Sequence, residues 1–250
     1  MDKATTDHIK FLADKYETEA FLASDPSQFM HKVSGDANQE TMAFIASCLS
    51  YGSRKQFFPK IQYILDVSHG EVDNWLRSGQ WQHDIPDTTE CYYRLHTYHD
   101  IHNMLAALST MLHQYGSMKN FVAQHASTGF EAIEAICSFF FEHGDGVLVP
   151  KNTQSACKRV CMFLRWMVRS DSAVDLGLWA DIIDRRTLIM PLDTHVVQEA
   201  MNMGLLHSRT ASMSTAKKLT KAMLDIFPYD PLKGDFALFG LGIDKNGDKG

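Results

Sequence analysis

Hydrophobic residues recur along most of this chain with the spacing of amphipathic helices. In residues 100–115 the apolar positions fall three or four residues apart, as a buried helical stripe requires. Those positions are Ile101, Met104, Leu105, Leu108, Met111 and Leu112. Further helices are predicted over residues 40–50, 55–66, 71–79, 117–124, 130–142 and 155–170. Strand signals are scarce, since residues 147–149 (VLV) form the only short β-branched run, and the pattern therefore predicts an all-α fold.

The predicted helix 155–170 has two distinct faces. One face is apolar and contains Cys157, Val160, Cys161, Leu164, Met167 and Val168. The second stripe contains Lys158, Met162, Arg165 and Arg169. Lys158 falls in the first turn, where the helix dipole disfavours a cation. The stripe is compatible with a solvated basic face, and it is also compatible with an amine nucleophile, which attacks only when unprotonated.

Three aspartates stand where helices are expected to begin. Asp193 follows Pro191 and precedes a predicted helix over 194–203, so its residue type and position are those of an N-cap. Asp100 is predicted to cap the helix 100–115. Asp235 is predicted to cap a short apolar helix that ends at the glycines of 240–242. On spacing alone, capping is a sufficient explanation for all three.

Length and composition indicate an ordinary globular protein. The 250 residues suffice for one large domain or two small lobes around a shared cleft, and 45% of them are hydrophobic and 22% charged. The segment 1–10 lacks the pattern of a signal peptide, and no stretch is long and apolar enough for a membrane helix. We therefore expect a cytoplasmic protein with no membrane partner. The five cysteines are widely spaced without a CxxC pair, which favours reduced, buried thiols over disulfides or a metal site.

The charge is unevenly distributed. The net charge of −6 argues against indiscriminate binding to nucleic acid, which depends on neutralising phosphates. Two stretches nevertheless contain basic residues and no acid. Residues 151–169 contain Lys151, Lys158, Arg159, Arg165 and Arg169, and residues 208–221 contain Arg209, Lys217, Lys218 and Lys221. The sequence therefore allows a basic surface on an acidic protein.

Four blocks of sequence carry a family resemblance. They are Tyr51-Gly52-Ser53-Arg54-Lys55, the segment 162–169 (MFLRWMVR), Pro191-Leu192-Asp193-Thr194-His195-Val196 and the segment 235–240 (DFALFG). The third block resembles the hallmark segment of the helix–hairpin–helix (HhH-GPD) DNA glycosylase superfamily. All four, in this order, resemble a bacterial family of uncharacterised proteins related to that superfamily. The Lys158-to-Asp193 gap of 35 residues is closer to archaeal 8-oxoguanine glycosylases than to endonuclease III types.

The resemblance implies an all-α fold with two helical lobes flanking a cleft. Lobe one is expected at about 31–189, and lobe two at about 1–30 plus 190–243. Residues 244–250 are expected to form a flexible tail. A damaged base would be flipped out of duplex DNA into the cleft and excised, with possible AP lyase activity.

The resemblance also implies roles for individual residues. Lys158 would be the Schiff-base nucleophile, and Asp193 would stabilise positive charge on the sugar and take the lysine proton. The expected DNA contacts are Tyr51, Arg54, Lys151, Arg165 and Arg169, and the expected base-stacking residues are Trp166 and Phe163. No metal or other cofactor is expected, and no iron–sulfur cluster, since no cysteine follows Cys161.

Two departures from the superfamily pattern leave alternatives open. The stretch 148–155, where a glycine-rich hairpin should lie, contains no glycine, and Gly52 stands where endonuclease III types have glutamine. A non-catalytic nucleic-acid-binding or interaction module on the same fold is therefore one alternative. Another is an HD-type metal-dependent phosphohydrolase, which the dipeptide His99-Asp100 and the upstream His69 and His96 suggest. The sequence identifies neither the target base nor the choice between DNA and RNA.

Overall fold

A computed structural model describes residues 2–246 and confirms a mostly helical protein. The first half of the chain contains α1 (Lys3–Tyr16), α2 (Glu19–Leu22), α3 (Asp36–Leu49), α4 (Arg54–Val67), α5 (Val72–Arg77), α6 (Trp81–Asp84) and α7 (Tyr98–Tyr115). The second half contains α8 (Met118–His125), α9 (Gly129–Glu142), α10 (Lys158–Val168), α11 (Thr194–Asn202), α12 (Met213–Leu224) and α13 (Lys233–Asn246). Short 3-10 helices cover Pro26–Lys32 and Arg185–Thr187.

The few extended residues form a small hairpin. Strand β1 (Cys91–Tyr93) pairs with β2 (His96–Thr97) in an antiparallel register that places Cys91 opposite Thr97 and Tyr93 opposite His96. The short β-branched run at 147–149 lies in a loop and forms no strand. The Asp145 carboxylate accepts hydrogen bonds from the N–H groups of residues 147, 148 and 149 at 2.9, 3.0 and 3.0 Å. Those bonds satisfy the amides that a neighbouring strand would otherwise satisfy.

The chain folds into two compact units. One unit comprises the chain up to Ala23, Ser127–Phe130 and the chain from Thr153 onward, and the other comprises Ser24–Ala126 and Glu131–Asn152. We call them the terminal unit and the central unit. The expected lobes divided the chain near residues 30 and 189, whereas these units divide it at 23 and 152.

Helix α3 forms the core of the central unit. Every residue from Glu40 to Leu49 is buried, and Phe44 packs on Phe140 with ring centroids 4.8 Å apart. The buried Glu40 carboxylate accepts the backbone N–H groups of Met118 (2.8 Å) and Lys119 (3.1 Å). A buried carboxylate requires such partners, and here it satisfies the first amides of α8.

Helix α13 organises the terminal unit, in contact with α1 and α11. A side chain at Gly240 would overlap the ring of Tyr16 on α1, and a Cβ at Gly242 would lie 2.7 Å from the Cβ of His195 on α11. The expectation that these glycines end a short helix is therefore wrong, because the helix continues through both of them. Both allow close helix packing, Gly240 of α13 against α1 and Gly242 of α13 against α11, the helix that begins beside Asp193.

The C-terminal part of α13 departs from the expected tail. Residues 244–246, expected to be flexible, are helical, and Asp244 pairs with Lys15 of α1 at 2.9 Å. Lys245 likewise pairs with the buried Glu199 of α11 at 2.6 Å. The remainder of the expected tail, 247–250, lies outside the described residues.

Candidate active site

Lys158 and Asp193, 35 residues apart in sequence, meet in the terminal unit. The Lys158 Nζ atom lies 3.5 Å from Oδ2 of Asp193. The Lys158 side chain is 37% exposed and that of Asp193 is 10% exposed. The pair is therefore accessible from the lysine side, and the carboxylate is held within the protein.

Local structure fixes both residues of this pair. Asp193 is the N-cap of α11, as the sequence predicts, and its Oδ1 accepts the Val196 N–H at 2.8 Å. Lys158 is the first residue of α10, three residues later than the expected helix start, and follows Cys157 in a left-handed conformation (φ 46°). Two helix N-termini thus converge on the pair. Since free N–H groups and helix dipoles point outward there, this location attracts anions.

A buried ionic network lies at the C-terminal end of α10, around Arg165 and Arg169. Arg165 pairs with Asp175 (Nε to Oδ1, 3.2 Å) and also with Asp235. Arg169 pairs with Asp175, with Asp230 at 2.8 Å and with Glu17 at 2.7 Å. Four carboxylates therefore surround two guanidinium groups, and the network contains an excess of negative charge.

Asp235 connects this network electrostatically to Asp193 of the Lys158–Asp193 pair. Burial raises the pKa of Asp235 to about 6, the charge of Asp193 adds to that rise, and Arg165 opposes it. Burial likewise raises the pKa of Asp175, against the opposing effect of Arg165 and Arg169. Because carboxylates outnumber guanidinium groups, one proton on Asp235 relieves part of the excess negative charge.

Two of the predicted DNA contacts, Arg165 and Arg169, belong to this buried network and not to a DNA-binding surface. Arg165 is 3% exposed and Arg169 is 1% exposed, so neither guanidinium is available to a phosphate. Both also lie over the ring of Phe236, at 4.4 and 5.1 Å from its centroid. Their role is structural, because guanidinium groups this deeply buried require the carboxylates that surround them.

The predicted base-stacking residues are also in the core. Trp166 and Phe163 are both 0% exposed, and Phe163 packs edge-on against Trp179 with ring centroids 5.1 Å apart. A flipped base cannot reach either ring in this structure. Aromatic residues at helical spacing usually belong to the core, and these two do.

The remaining predicted DNA contacts belong to the central unit. Tyr51 is 41% exposed, Arg54 begins α4 and is partly exposed, and Lys151 is exposed. Sequence reasoning missed Arg94, which lies at the turn of the hairpin with its guanidinium carbon 5.1 Å from the Tyr51 ring centroid. The Tyr93 hydroxyl donates a hydrogen bond to the Tyr51 carbonyl. These contacts hold an aromatic ring and a cation together at the surface, a combination that suits nucleic acid.

The histidine–aspartate dipeptide has a structural explanation. Asp100 accepts hydrogen bonds from the Thr97 N–H (2.7 Å) and hydroxyl (2.9 Å), and Thr97 rather than Asp100 is the N-cap of α7. His99 Nδ1 lies 2.5 Å from Asp87. Within residues 2–246 no group of three or more His, Cys, Asp or Glu side chains is placed to hold a metal ion. The HD-type alternative therefore lacks a visible ligand set.

Comparison with known proteins gives a family and no activity. Residues 25–244 match the model of a family described as "Protein of unknown function (DUF2400)". No curated protein and no solved structure matches the chain. Among the described residues, no helix has the length and apolar character needed to cross a bilayer.

Proposed function

We propose that this chain, which belongs to the DUF2400 family of proteins of unknown function, is a DNA base-excision glycosylase with AP lyase activity. The observation that carries the proposal is the approach of Lys158 Nζ to within 3.5 Å of Asp193 Oδ2, at the N-termini of two helices. The sequence resemblance to HhH-GPD glycosylases assigns the same two residues to the chemistry. The substrate would be damaged duplex DNA, and the chain would then act in the cytoplasm.

The chemistry requires one nucleophile and one carboxylate. The Lys158 amine attacks C1′ of the sugar, the C1′–N bond to the base breaks with its electron pair on the base, and the departing base takes a proton from water. Asp193 stabilises the positive charge that develops on the sugar and accepts a proton from the attacking amine. Opening of the sugar at C1′–O4′ then gives an imine between C1′ and Nζ. Loss of a C2′ proton from that imine expels the 3′ phosphate and cleaves the strand.

The position of the pair fits this sequence of steps. Lys158 is exposed enough to meet a flipped nucleotide, whereas Asp193 is held by its bond to Val196 and cannot turn away. Helix N-termini also attract the phosphates that flank the target sugar. Trp166 and Phe163 are buried, so residues other than these two would stack on the flipped base.

Borohydride trapping tests the proposal. The protein is incubated with duplexes that contain 8-oxoguanine, uracil, thymine glycol or an abasic site, and reduction converts the imine into a stable covalent adduct. We expect an adduct that is lost in Lys158→Ala and retained in Lys10→Ala, a matched change at an exposed helical lysine of α1. DNA binding without an adduct on any substrate would support the non-catalytic module instead. Absence of both would overturn a DNA-directed function.

A further inference from the structure

We infer that the exposed basic face of α12 binds the phosphate backbone of duplex DNA next to Lys158. This face, which we call the α12 surface, consists of Lys217, Lys218 and Lys221 with Arg209 in the preceding loop. The inference rests on the proposed function, because it names the surface through which that site holds its duplex.

The α12 surface is strongly and uniformly positive. Residues 208–221 contain no acidic residue, although the whole chain has a net charge of −6. All four basic side chains are exposed, whereas the other side of α12 is buried through Ala216, Leu219 and Met223. Helix α12 therefore has one apolar face that is buried in the protein and one cationic face that is exposed to solvent.

The positive charges of the α12 surface are not neutralised by carboxylates among the described residues. Two other exposed lysines of the terminal unit do pair with carboxylates, Lys15 with Asp244 and Lys245 with Glu199. Among the described residues none of the four α12-surface side chains makes an ion pair. The Lys217 ammonium lies 3.1 Å from the centroid of the Phe130 ring, which orients the side chain without neutralising it. Cations left in this state are available to replace the counterions of a polyanion.

The α12 surface is tied to the catalytic pair through the backbone. Ser155, three residues before Lys158, forms an antiparallel bridge with Ser212, the N-cap of α12. Bridged residues lie about 5 Å apart, and three residues span at most about 10 Å. Lys218 is six residues into the helix, a rise of about 9 Å. The backbones of Lys158 and Lys218 are therefore at most about 24 Å apart, or about seven base pairs of duplex at 3.4 Å each.

With these distances and charges, the α12 surface can bind the phosphate backbone of the same duplex whose flipped base reaches Lys158. The predicted phosphate contacts Arg165 and Arg169 are buried, so the terminal unit must use other cations if it holds DNA. The α12 surface provides four, and Lys218 among them lies within about seven base pairs of Lys158. Phosphate contacts of this kind position a duplex without reading its sequence.

The test measures duplex binding as a function of salt in the full-length chain. Lys218→Gln/Lys221→Gln is compared with Lys3→Gln/Lys10→Gln, which removes the same charge from exposed lysines of α1. A duplex with a reduced abasic-site analogue is titrated by fluorescence anisotropy over a range of NaCl concentrations. We expect the α12 variant to bind roughly 10- to 30-fold more weakly at physiological salt. Its slope of log K against log [NaCl] should fall in magnitude by about 1.8, while the α1 variant matches the wild type.

The outcomes separate this inference from the proposed function. If the wild type binds the duplex and the salt slope of the α12 variant is unchanged, the inference is wrong. The proposed catalysis would then still be tested by borohydride trapping at Lys158. A reduced slope without any trapped adduct would support the inference and count against the glycosylase. A wild-type chain that binds anionic lipid vesicles and no duplex would overturn both.

Discussion

The carboxylate of Asp193 has two partners, one on each oxygen. Oδ1 accepts the Val196 N–H at 2.8 Å and caps α11, and Oδ2 lies 3.5 Å from Lys158 Nζ. One side chain therefore has a structural role and a proposed chemical role at the same time. Those roles depend on different properties, since capping needs an acceptor oxygen and the chemistry needs a negative charge.

Substitutions at Asp193 should separate the two roles. Asp193→Asn retains an oxygen for Val196 and should change the free energy of unfolding little, because asparagine caps helices as well as aspartate does. Without the charge we expect adduct formation to slow by roughly 100-fold or more. Asp193→Ala should show the same kinetic loss and in addition lose about 1 kcal/mol of stability. Urea unfolding and the rate of borohydride trapping measure the two effects, and equal stability of the Asn and Ala variants would contradict the capping role.

Arg169 should be among the most sensitive positions in the terminal unit. Arg169→Met removes the cation from the buried Asp175 and Asp230 and from the partly buried Glu17, and it should cost about 3–5 kcal/mol because unpaired buried charges are strongly destabilising. Arg186→Met is the matched control, since Arg186 pairs with Asp184 at the surface, where ion pairs contribute about 0–1 kcal/mol. Thermal or urea unfolding of both variants provides the measurement. Similar losses in the two variants would show that the buried network does not behave as described.

Asp235 should make stability depend on pH in an unusual direction for a carboxylate. Its pKa is raised from 3.8 to about 6, so between those values the folded chain holds a proton that the unfolded chain has lost. Its contribution to the free energy of unfolding is therefore full below about pH 4 and falls, by on the order of 3 kcal/mol, as the pH rises through 6. Asp235→Asn stays neutral and should become more stable relative to the wild type over this range.

The control residue for Asp235 is Asp184, whose contribution to stability changes with pH in the opposite direction. The side-chain and backbone hydrogen bonds of Arg186 lower the pKa of the exposed Asp184, so its contribution is present above about pH 4 and is lost only as the pH falls further. Urea unfolding of Asp235→Asn and Asp184→Asn from pH 4 to 7 compares the two. A difference between Asp235→Asn and the wild type that does not change with pH would show that Asp235 is ionised throughout.

The close packing of α1 on α13 should depend on Gly240. A methyl group there would overlap the Tyr16 ring, and we expect Gly240→Ala to lose about 1–3 kcal/mol despite the better helix propensity of alanine. In Tyr16→Ala the ring is absent, so adding Gly240→Ala should then cost little. A double-mutant cycle in urea measures this coupling, and additive effects of the two changes would show that the ring is not the obstacle.

The sequence by itself determined the features that arise within a few residues. The all-α class follows from periodicity, and α7, predicted at 100–115, is observed as Tyr98–Tyr115. The N-cap at Asp193 was predictable because its bond to Val196 closes over three residues. The same local reasoning missed α12, whose polar and basic residues show a helical pattern only once Ala216, Leu219 and Met223 are seen to be buried.

Only the tertiary structure decided which charges face solvent and which residues meet. Arg165 and Arg169 have the spacing of a solvated basic stripe, yet they are buried, because their carboxylate partners arrive from as far as 70 and 152 residues away. Gly240 and Gly242 have the composition of a helix end, yet they lie at helix contacts that no local pattern encodes. Lys158 and Asp193 approach each other because the first turns of α10 and α11 lie close together in one unit. Periodicity and capping are short-range and readable along the chain, whereas burial depends on neighbours that only folding supplies.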